Sequence, residues 1–296
     1  MKQHCGVSIA LLLAMAMPLA AQADQEQVPI GTGRFAAVMV EASTLAEHTI
    51  YRPQDLRRFR GRARLPLVLW GNGGCANTGN LARAFLTELA SHGYLVISSG
   101  PVRTLPVPRS ATPGTEALSK TSQLFDAIVW AAAENQRRGS DYFGRIDVSK
   151  VAVMGSSCGG LQAIEASVDP RISTAIIWSS GLLDQPRAGA AATRADLARL
   201  HAPTLFVSGG TNDMASPNSA RDYGDINSVP VMLAVNEGAG HGGTLNEPNG
   251  GRWATVGLAW LDWRLKHDQR AAQMFVGKDC GLCKDAAWAV SRKRFD

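Results

Sequence analysis

The sequence lacks the patterns of a metal site and of a phosphate-binding loop. Its six histidines are isolated from one another along the 296 residues, so the closely spaced ligands of a transition-metal site are missing. No glycine-rich segment has the spacing of a nucleotide-binding loop. We therefore expect neither a metal nor a cofactor.

Charge of one sign does not dominate, because the formal net charge is only +5. The basic residues are mostly scattered and lack the interleaved aromatic residues typical of nucleic-acid binding, so no nucleic-acid partner is expected. A small basic cluster lies between Arg57 and Arg64. A solvated basic face is its expected role, and attraction to anionic polymers or surfaces is the alternative.

Apolar runs of membrane length are also lacking. The apolar run Val7–Met17 is shorter than the ~20 residues that cross a bilayer, and Ala21-Gln22-Ala23 after it has the small-x-small pattern of a cleavage site. We therefore predict a signal peptide over residues 1–23, cleaved after Ala23, and a secreted or periplasmic protein without a membrane segment. No repeat or change in composition divides residues 24–296, which predicts a single domain.

Cysteine is scarce, with five residues in the chain. Cys5 leaves with the predicted signal peptide, and four cysteines remain. An even number in an oxidising compartment predicts two disulfides, for which three connectivities are possible. Cys280-Gly-Leu-Cys283 also has the spacing of a redox motif, but it follows a predicted helix without the strand-then-helix setting that activates a thiol.

Apolar strands alternate with amphipathic helices along the chain. Two early strands are predicted to pair antiparallel, at 35–41 and 49–51. Further strands are predicted at 65–70, 94–98, 151–154, 172–178, 204–207 and 229–235, and helices at 80–92, 119–138, 161–168 and 253–267. This alternation predicts an α/β fold, a doubly wound and mostly parallel sheet flanked by helices. Residues 100–118 and 182–200 are candidate lid segments.

The most informative stretch runs from Val151 to Leu161. Four apolar residues, Val151-Ala152-Val153-Met154, lead directly into Gly155-Ser156-Ser157-Cys158-Gly159, a Gly-x-Ser-x-Gly pattern. A strand, a sharp turn and a helix with this pattern form a nucleophile elbow, in which the serine hydroxyl stands clear of the sheet. The alternative is an ordinary Gly/Ser-rich loop.

A serine hydroxyl becomes a nucleophile only when a base removes its proton. Elbow folds supply the other groups in the chain order Ser, Asp or Glu, His, each on a loop after a later strand. Asp213 follows the predicted strand 204–207, and His241 lies in a glycine-rich loop after 229–235. We therefore expect Ser157 to be the nucleophile, His241 the general base and then acid, and Asp213 the group that orients His241. Alone, Asp213 also fits a turn-forming residue, and His241 a polar loop residue.

An acyl-transfer site also needs hydrogen-bond donors for an oxyanion. The backbone N–H of Cys158 is the first expected donor, and Gly74 or Cys75, in the loop after strand 65–70, is the expected second. This arrangement brings Cys75 and Cys158 to one place. We therefore hypothesise a Cys75–Cys158 disulfide and a local Cys280–Cys283 disulfide, with separate buried thiols as the alternative.

Four further segments resemble the α/β-hydrolase superfamily, and most closely the secreted bacterial cutinase-like polyester hydrolases and the dienelactone-hydrolase-like esterases. The segments are Leu86–Ile97, Asn212–Pro217, Gly238–His241 and Trp260–Leu265. The resemblance covers nearly all of residues 24–296. It implies an α/β-hydrolase fold, ester substrates and no cofactor.

The resemblance also implies a substrate pocket. By analogy, Trp178 lines the acyl pocket, and Asn72 lies where the family brings an aromatic residue to the site. The chain departs from the family pattern at Ser156 and Cys158, where histidine and methionine are usual. The substrate therefore does not carry over directly.

The expected activity is hydrolysis of carboxylic esters through an acyl-enzyme, with polyesters and aryl esters as candidate substrates. Three alternatives remain open: the same residues acting on an amide or an anionic polymer, a catalytically inactive hydrolase scaffold used for binding, and a thiol oxidoreductase. If the protein is a hydrolase, its expected partner is a small-molecule or polymeric substrate.

Overall fold

The structure, a computed structural model, describes Met1 and residues 31–105, 118–185 and 188–295. The predicted signal peptide and most of the candidate lid 100–118 lie outside the described residues. The domain boundaries at 1–23 and 24–296 stay predictions.

Within the described residues, nine strands form one sheet in the order β1-β2-β4-β3-β5-β6-β7-β8-β9. Strands β3 to β8 are mutually parallel, whereas β1, β2 and β9 run antiparallel to their neighbours. The bounds are β1 Ala37–Val40, β2 His48–Pro53, β3 Leu65–Gly71, β4 Leu95–Ser99, β5 Ile146–Ser156, β6 Thr174–Trp178, β7 Thr204–Ser208, β8 Val231–Asn236 and β9 Trp288–Lys293. The predicted mostly parallel sheet is confirmed.

Helices connect the strands and cover the sheet. Their bounds are α1 Arg83–Ser91, α2 Thr121–Gln136, α3 Cys158–Ala166, α4 Arg194–Ala198, α5 Ser216–Asp225, α6 Gly251–Lys266, α7 Gln269–Ala272 and α8 Gly281–Lys284. Within the described residues, no helix is long and apolar enough to cross a membrane.

Both faces of the sheet are buried, each under its own apolar cluster. Side chains alternate along β5, so Val151 and Val153 pack in one cluster and Ala152 and Met154 in the other. The first cluster includes side chains of α2 and α3, and the second includes side chains of α1 and α6. This burial on both faces explains the continuous apolar runs within the parallel strands, such as Val151–Met154 in β5.

The structure adds elements that the sequence patterns did not predict. Strand β9 ends the sheet beside β8, and its Ser291-Arg292-Lys293 tail has the charged character of an edge strand rather than an apolar run. Helix α5 begins just after Asp213. In the candidate lid 182–200, the described residues contain only the short helix α4.

Candidate active site

Ser157 lies at a sharp turn between β5 and α3. Its φ of 54° and ψ of −120° are strained for a residue with a side chain. Its backbone N–H donates to the Trp178 carbonyl at 2.9 Å, and its own carbonyl accepts from the Ser180 hydroxyl at 2.6 Å. These bonds anchor the turn on the neighbouring strand β6.

The two glycines of the pattern are required by close backbone approach. A Cβ on Gly155 would lie 2.1 Å from the Gly159 carbonyl oxygen, and one on Gly159 would lie 2.1 Å from the Gly71 carbonyl oxygen. The start of α3 therefore packs directly against the end of β3. No side chain fits between them.

His241 makes hydrogen bonds on both sides of its ring. Nε2 lies 3.0 Å from Ser157 Oγ, and Nδ1 lies 2.7 Å from Asp213 Oδ1. Asp213 follows β7 and His241 follows β8, so the three side chains meet at the carboxyl edge of the parallel strands. The His241 side chain is 33% exposed, whereas that of Asp213 is fully buried.

Asp213 is held as a carboxylate by hydrogen bonds. Burial by itself raises its pKa, but hydrogen bonds from the Gly209 amide, His241, the Ala215 amide and the Ser179 hydroxyl together lower the pKa below its ordinary value. The Gly209 and Ala215 amides each donate at 3.0 Å. A charged Asp213 faces the ring of His241 as a result.

Ser179 is a site residue that the sequence patterns missed. It is fully buried just after β6, has a positive φ of 41°, and its hydroxyl accepts from the Gly242 amide at 3.0 Å. It therefore holds the loop of His241, and its hydroxyl also helps to lower the pKa of Asp213. The available signal was the Ser179-Ser180 pair directly after a predicted strand, in the same position as the other polar site residues.

The loop after β3 is bonded covalently to the start of α3. A disulfide joins Cys75 to Cys158, and a second joins Cys280 to Cys283. The Cys75 backbone N–H donates to the Asn72 carbonyl at 3.1 Å. This bond takes up the Cys75 amide, which corrects the prediction of Cys75 as an oxyanion donor. Gly74, the other predicted donor, is exposed and has a φ of 66°.

Two residues predicted for the substrate pocket lie elsewhere. Trp178 is completely buried and stacks on Trp253 with 5.3 Å between ring centroids, because the pleat of β6 points it toward α6. Asn72 is also buried; its side chain accepts from Trp70 Nε1 at 2.9 Å and donates to the Ser99 carbonyl at 2.7 Å. Both are packing residues in this structure.

A small pocket of about 130 Å³ adjoins Ser157 and His241. It lies between the start of α3, the segment after β6 and the start of α5. Leu161 and Ala215 form apolar parts of its wall, and Leu183 and Met214, at 44% and 82% exposure, form an open apolar rim. The site is therefore a shallow cleft with an apolar edge.

Among the residues that the structure describes, no group of His, Cys, Asp and Glu could hold a metal ion.

A family model described as PET hydrolase-like matches residues 40–292. The chain belongs to the PET hydrolase-like family. At the level of this family, the chain is an ester hydrolase. The matched range includes every residue of the site described above. No curated protein matches the chain.

Proposed function

We propose that the protein is a serine hydrolase that cleaves carboxylic esters through an acyl-enzyme. One observation carries the proposal: the His241 ring is hydrogen-bonded to the Ser157 hydroxyl and to the Asp213 carboxylate at the same time. Membership of an ester-hydrolysing family supports it independently.

In the proposed reaction, Ser157 Oγ attacks the ester carbonyl carbon while His241 Nε2 takes the hydroxyl proton. Asp213 accepts a hydrogen bond from the Nδ1–H group of His241 and stabilises the charged ring. When the tetrahedral intermediate collapses, His241 returns the proton to the leaving alcohol, and Ser157 keeps the acyl group. Water then attacks the acyl-enzyme with His241 again as base, which releases the acid and restores the serine.

The negative oxygen of each intermediate needs donors. We propose the Cys158 and Gly74 backbone amides, each contributing about 3–4 kcal/mol to transition-state stabilisation. The start of α3 favours negative charge at the Cys158 amide. The Cys75–Cys158 disulfide supports this assignment, because it ties the two segments that carry the donors.

We propose polyesters or aryl esters as substrates. The small volume of the pocket and its open rim of Leu183 and Met214 support a substrate that inserts one acyl unit and leaves the rest of its length outside. An apolar polymer chain has that form. An open apolar rim favours such a chain over a strongly charged one.

We also propose that the protein is exported, with its signal peptide cleaved after Ala23, and that it is secreted or periplasmic. Two disulfides support it, because disulfides persist mainly in oxidising compartments. N-terminal sequencing of the exported protein checks the cleavage position.

The decisive experiment labels the protein with a fluorophosphonate and measures hydrolysis of p-nitrophenyl esters of increasing acyl length, beside an aryl polyester. Ser157→Ala should abolish labelling, and both Ser157→Ala and His241→Ala should lower kcat by about 10³-fold or more. An unlabelled protein without esterase activity would identify an inactive scaffold. Near-normal activity of either variant would refute that residue's role.

A further inference from the structure

A second cavity lies at the opposite edge of the sheet from Ser157. It has a volume of about 270 Å³ and opens where β3 and β4 begin and α6 ends. Lys150 lines it near the start of β5, seven residues before Ser157 on the same chain segment. An extended chain of that length spans about 20 Å, so this cavity is separate from the proposed active site.

The polar side chains that line this cavity are basic. Arg62 and Arg64 come from the turn before β3, Lys150 from β5 and Lys266 from the end of α6. His92 adds a titratable ring. No carboxylate belongs to the described residues that line it. Positive charge from three separate segments therefore converges on one concave surface.

The neighbouring carboxylates neutralise these charges only in part. Asp147 lies 3.8 Å from both Arg64 and Lys150, which is outside hydrogen-bond distance, and it serves two cations. Lys266 is better paired: its ammonium lies 2.9 Å from Asp262 Oδ1 and donates to the His92 carbonyl at 2.9 Å. Burial lowers the pKa of Lys266 most strongly, the carboxylates of Asp262 and Asp268 raise it, and the charge of Lys150, the smallest of these effects, lowers it.

The Arg62 side chain makes no hydrogen bond or ion pair with any other residue in the described ranges, lines the cavity and is exposed. His92 is held by Glu88 at 3.1 Å. Phe35 and Phe59 form an apolar wall, with 4.8 Å between their ring centroids. A planar guanidinium with free N–H groups beside two ammonium groups is suited to bind a multidentate oxyanion.

We infer that this cavity binds a tetrahedral oxyanion, a phosphate or sulfate group, through Arg62, Arg64, Lys150 and Lys266. Such a group offers more acceptor oxygens than the two of a carboxylate. Binding would replace repulsion between the cations by charge-assisted hydrogen bonds. Because the cavity lies at the far edge of the sheet, the bound group leaves the ester-hydrolase site open.

The test is isothermal titration of the purified protein with inorganic phosphate, and separately sulfate, at low ionic strength, with chloride as the reference anion. We expect saturable binding of one anion per chain. Lys150→Met and Arg62→Met should each weaken it about tenfold, because a hydrogen bond to a charged group is lost. Exposed Lys278→Met removes the same charge elsewhere and should leave affinity unchanged.

Absence of saturable binding overturns the inference, as does equal weakening by Lys278→Met, since the effect would then be net charge alone. Vesicles distinguish the source of the anion. Displacement of bound phosphate by phosphatidylglycerol vesicles, but not by phosphatidylcholine vesicles, would identify a lipid headgroup as the ligand. Retained phosphate would identify a free anion. Esterase activity is measured in parallel and is expected to stay unchanged in all three variants.

Discussion

At the scale of single residues, Asp213 is a buried carboxylate whose charge depends on its hydrogen bonds. The native surroundings hold its pKa below the ordinary value of 3.8, and the hydrogen bonds from Gly209, His241 and Ala215 are lost on unfolding. The ionised group therefore stabilises the fold when the pH is above its unfolded pKa. That contribution disappears as the pH falls through the folded pKa.

Asp213→Asn should accordingly weaken the dependence of the free energy of unfolding on pH in the acidic range. We expect the free energy of unfolding of the parent protein to fall more steeply between about pH 5 and pH 3 than that of the variant. Urea unfolding at several pH values measures both slopes. The exposed carboxylate of Asp279 provides a control, since Asp279→Asn should keep the parent slope. Parallel curves for parent and Asp213→Asn would contradict the prediction.

Gly159 tests whether the elbow depends on close backbone packing. A Cβ there would lie 2.1 Å from both the carbonyl carbon and the oxygen of Gly71, and backbone cannot rotate away as a side chain can. Gly159→Ala should lower the free energy of unfolding by about 3 kcal/mol or more. Thermal and urea unfolding provide the measurement.

The matched control is Gly224, in the last turn of α5, where a Cβ meets nothing within 4 Å. Gly224→Ala should raise the free energy of unfolding by about 0.5 kcal/mol, because alanine has less freedom to lose on folding. If both variants behave alike, the packing argument for Gly159 fails.

At the scale of elements, one lysine of β9 closes the end of α5. The Lys293 ammonium donates to the carbonyls of Tyr223 and Gly224 at 2.8 Å and of Ile226 at 3.0 Å. These are carbonyls that a helix end leaves without partners, and a positive charge there also favours the helix dipole. The edge strand therefore holds in place the helix that follows Asp213.

Lys293→Met should lower the free energy of unfolding by about 1–3 kcal/mol, because several charge-assisted hydrogen bonds are lost while the apolar stem is kept. Denaturant unfolding measures the change. Lys278→Met removes an exposed charge outside any strand and should change stability by less than about 0.5 kcal/mol. A similar effect of the two variants would show that Lys293 contributes no more than an ordinary surface charge.

At the scale of the whole molecule, the two disulfides differ in the length of chain that they close. Cys75–Cys158 spans 83 residues and Cys280–Cys283 spans three. On the chain-entropy account, the long loop restricts the unfolded chain far more than the short one. The long disulfide also joins β3 to α3 beside the proposed nucleophile.

Replacing Cys75 and Cys158 by serine should lower the free energy of unfolding by about 4–5 kcal/mol, and replacing Cys280 and Cys283 by about 1–2 kcal/mol. We also expect the first double variant to lose kcat on a soluble ester with little change in KM, because the proposed oxyanion donors are no longer tied together. The second serves as the control and should keep kcat. Equal losses in the two variants would refute the special role of Cys75–Cys158.

Much of this arrangement could be predicted from local patterns. The confirmed parallel sheet follows from apolar strands that alternate with helices. The positions of Ser157, Asp213 and His241 beyond their strands could be read because each follows an apolar run and the glycines beside Ser157 and His241 mark sharp turns. The roles of these side chains stay predictions. Strand β9 was missed because its charged tail hides a strand in the sequence.

The sequence did not predict the positions of three residues correctly: Trp178, Asn72 and Cys75. Whether the last side chain of β6 points to the pocket or to the core depends on the pleat and on Trp253, which lies 75 positions away along the chain. The Asn72 side chain is hydrogen-bonded to Trp70 and Ser99, and the Cys75 amide is hydrogen-bonded to the Asn72 carbonyl within its own loop. These contacts have no local signature.

The amino-acid sequence alone determined the α/β class, the turn at Ser157 and the order of the polar loops, because periodicity and backbone sterics act over a few residues. Only the tertiary structure decided which side chains meet. The 3.0 Å approach of His241 to Ser157, the burial of Trp178 and the basic cavity at the opposite edge depend on segments far apart in the chain. Packing, rather than local preference, brings those segments together.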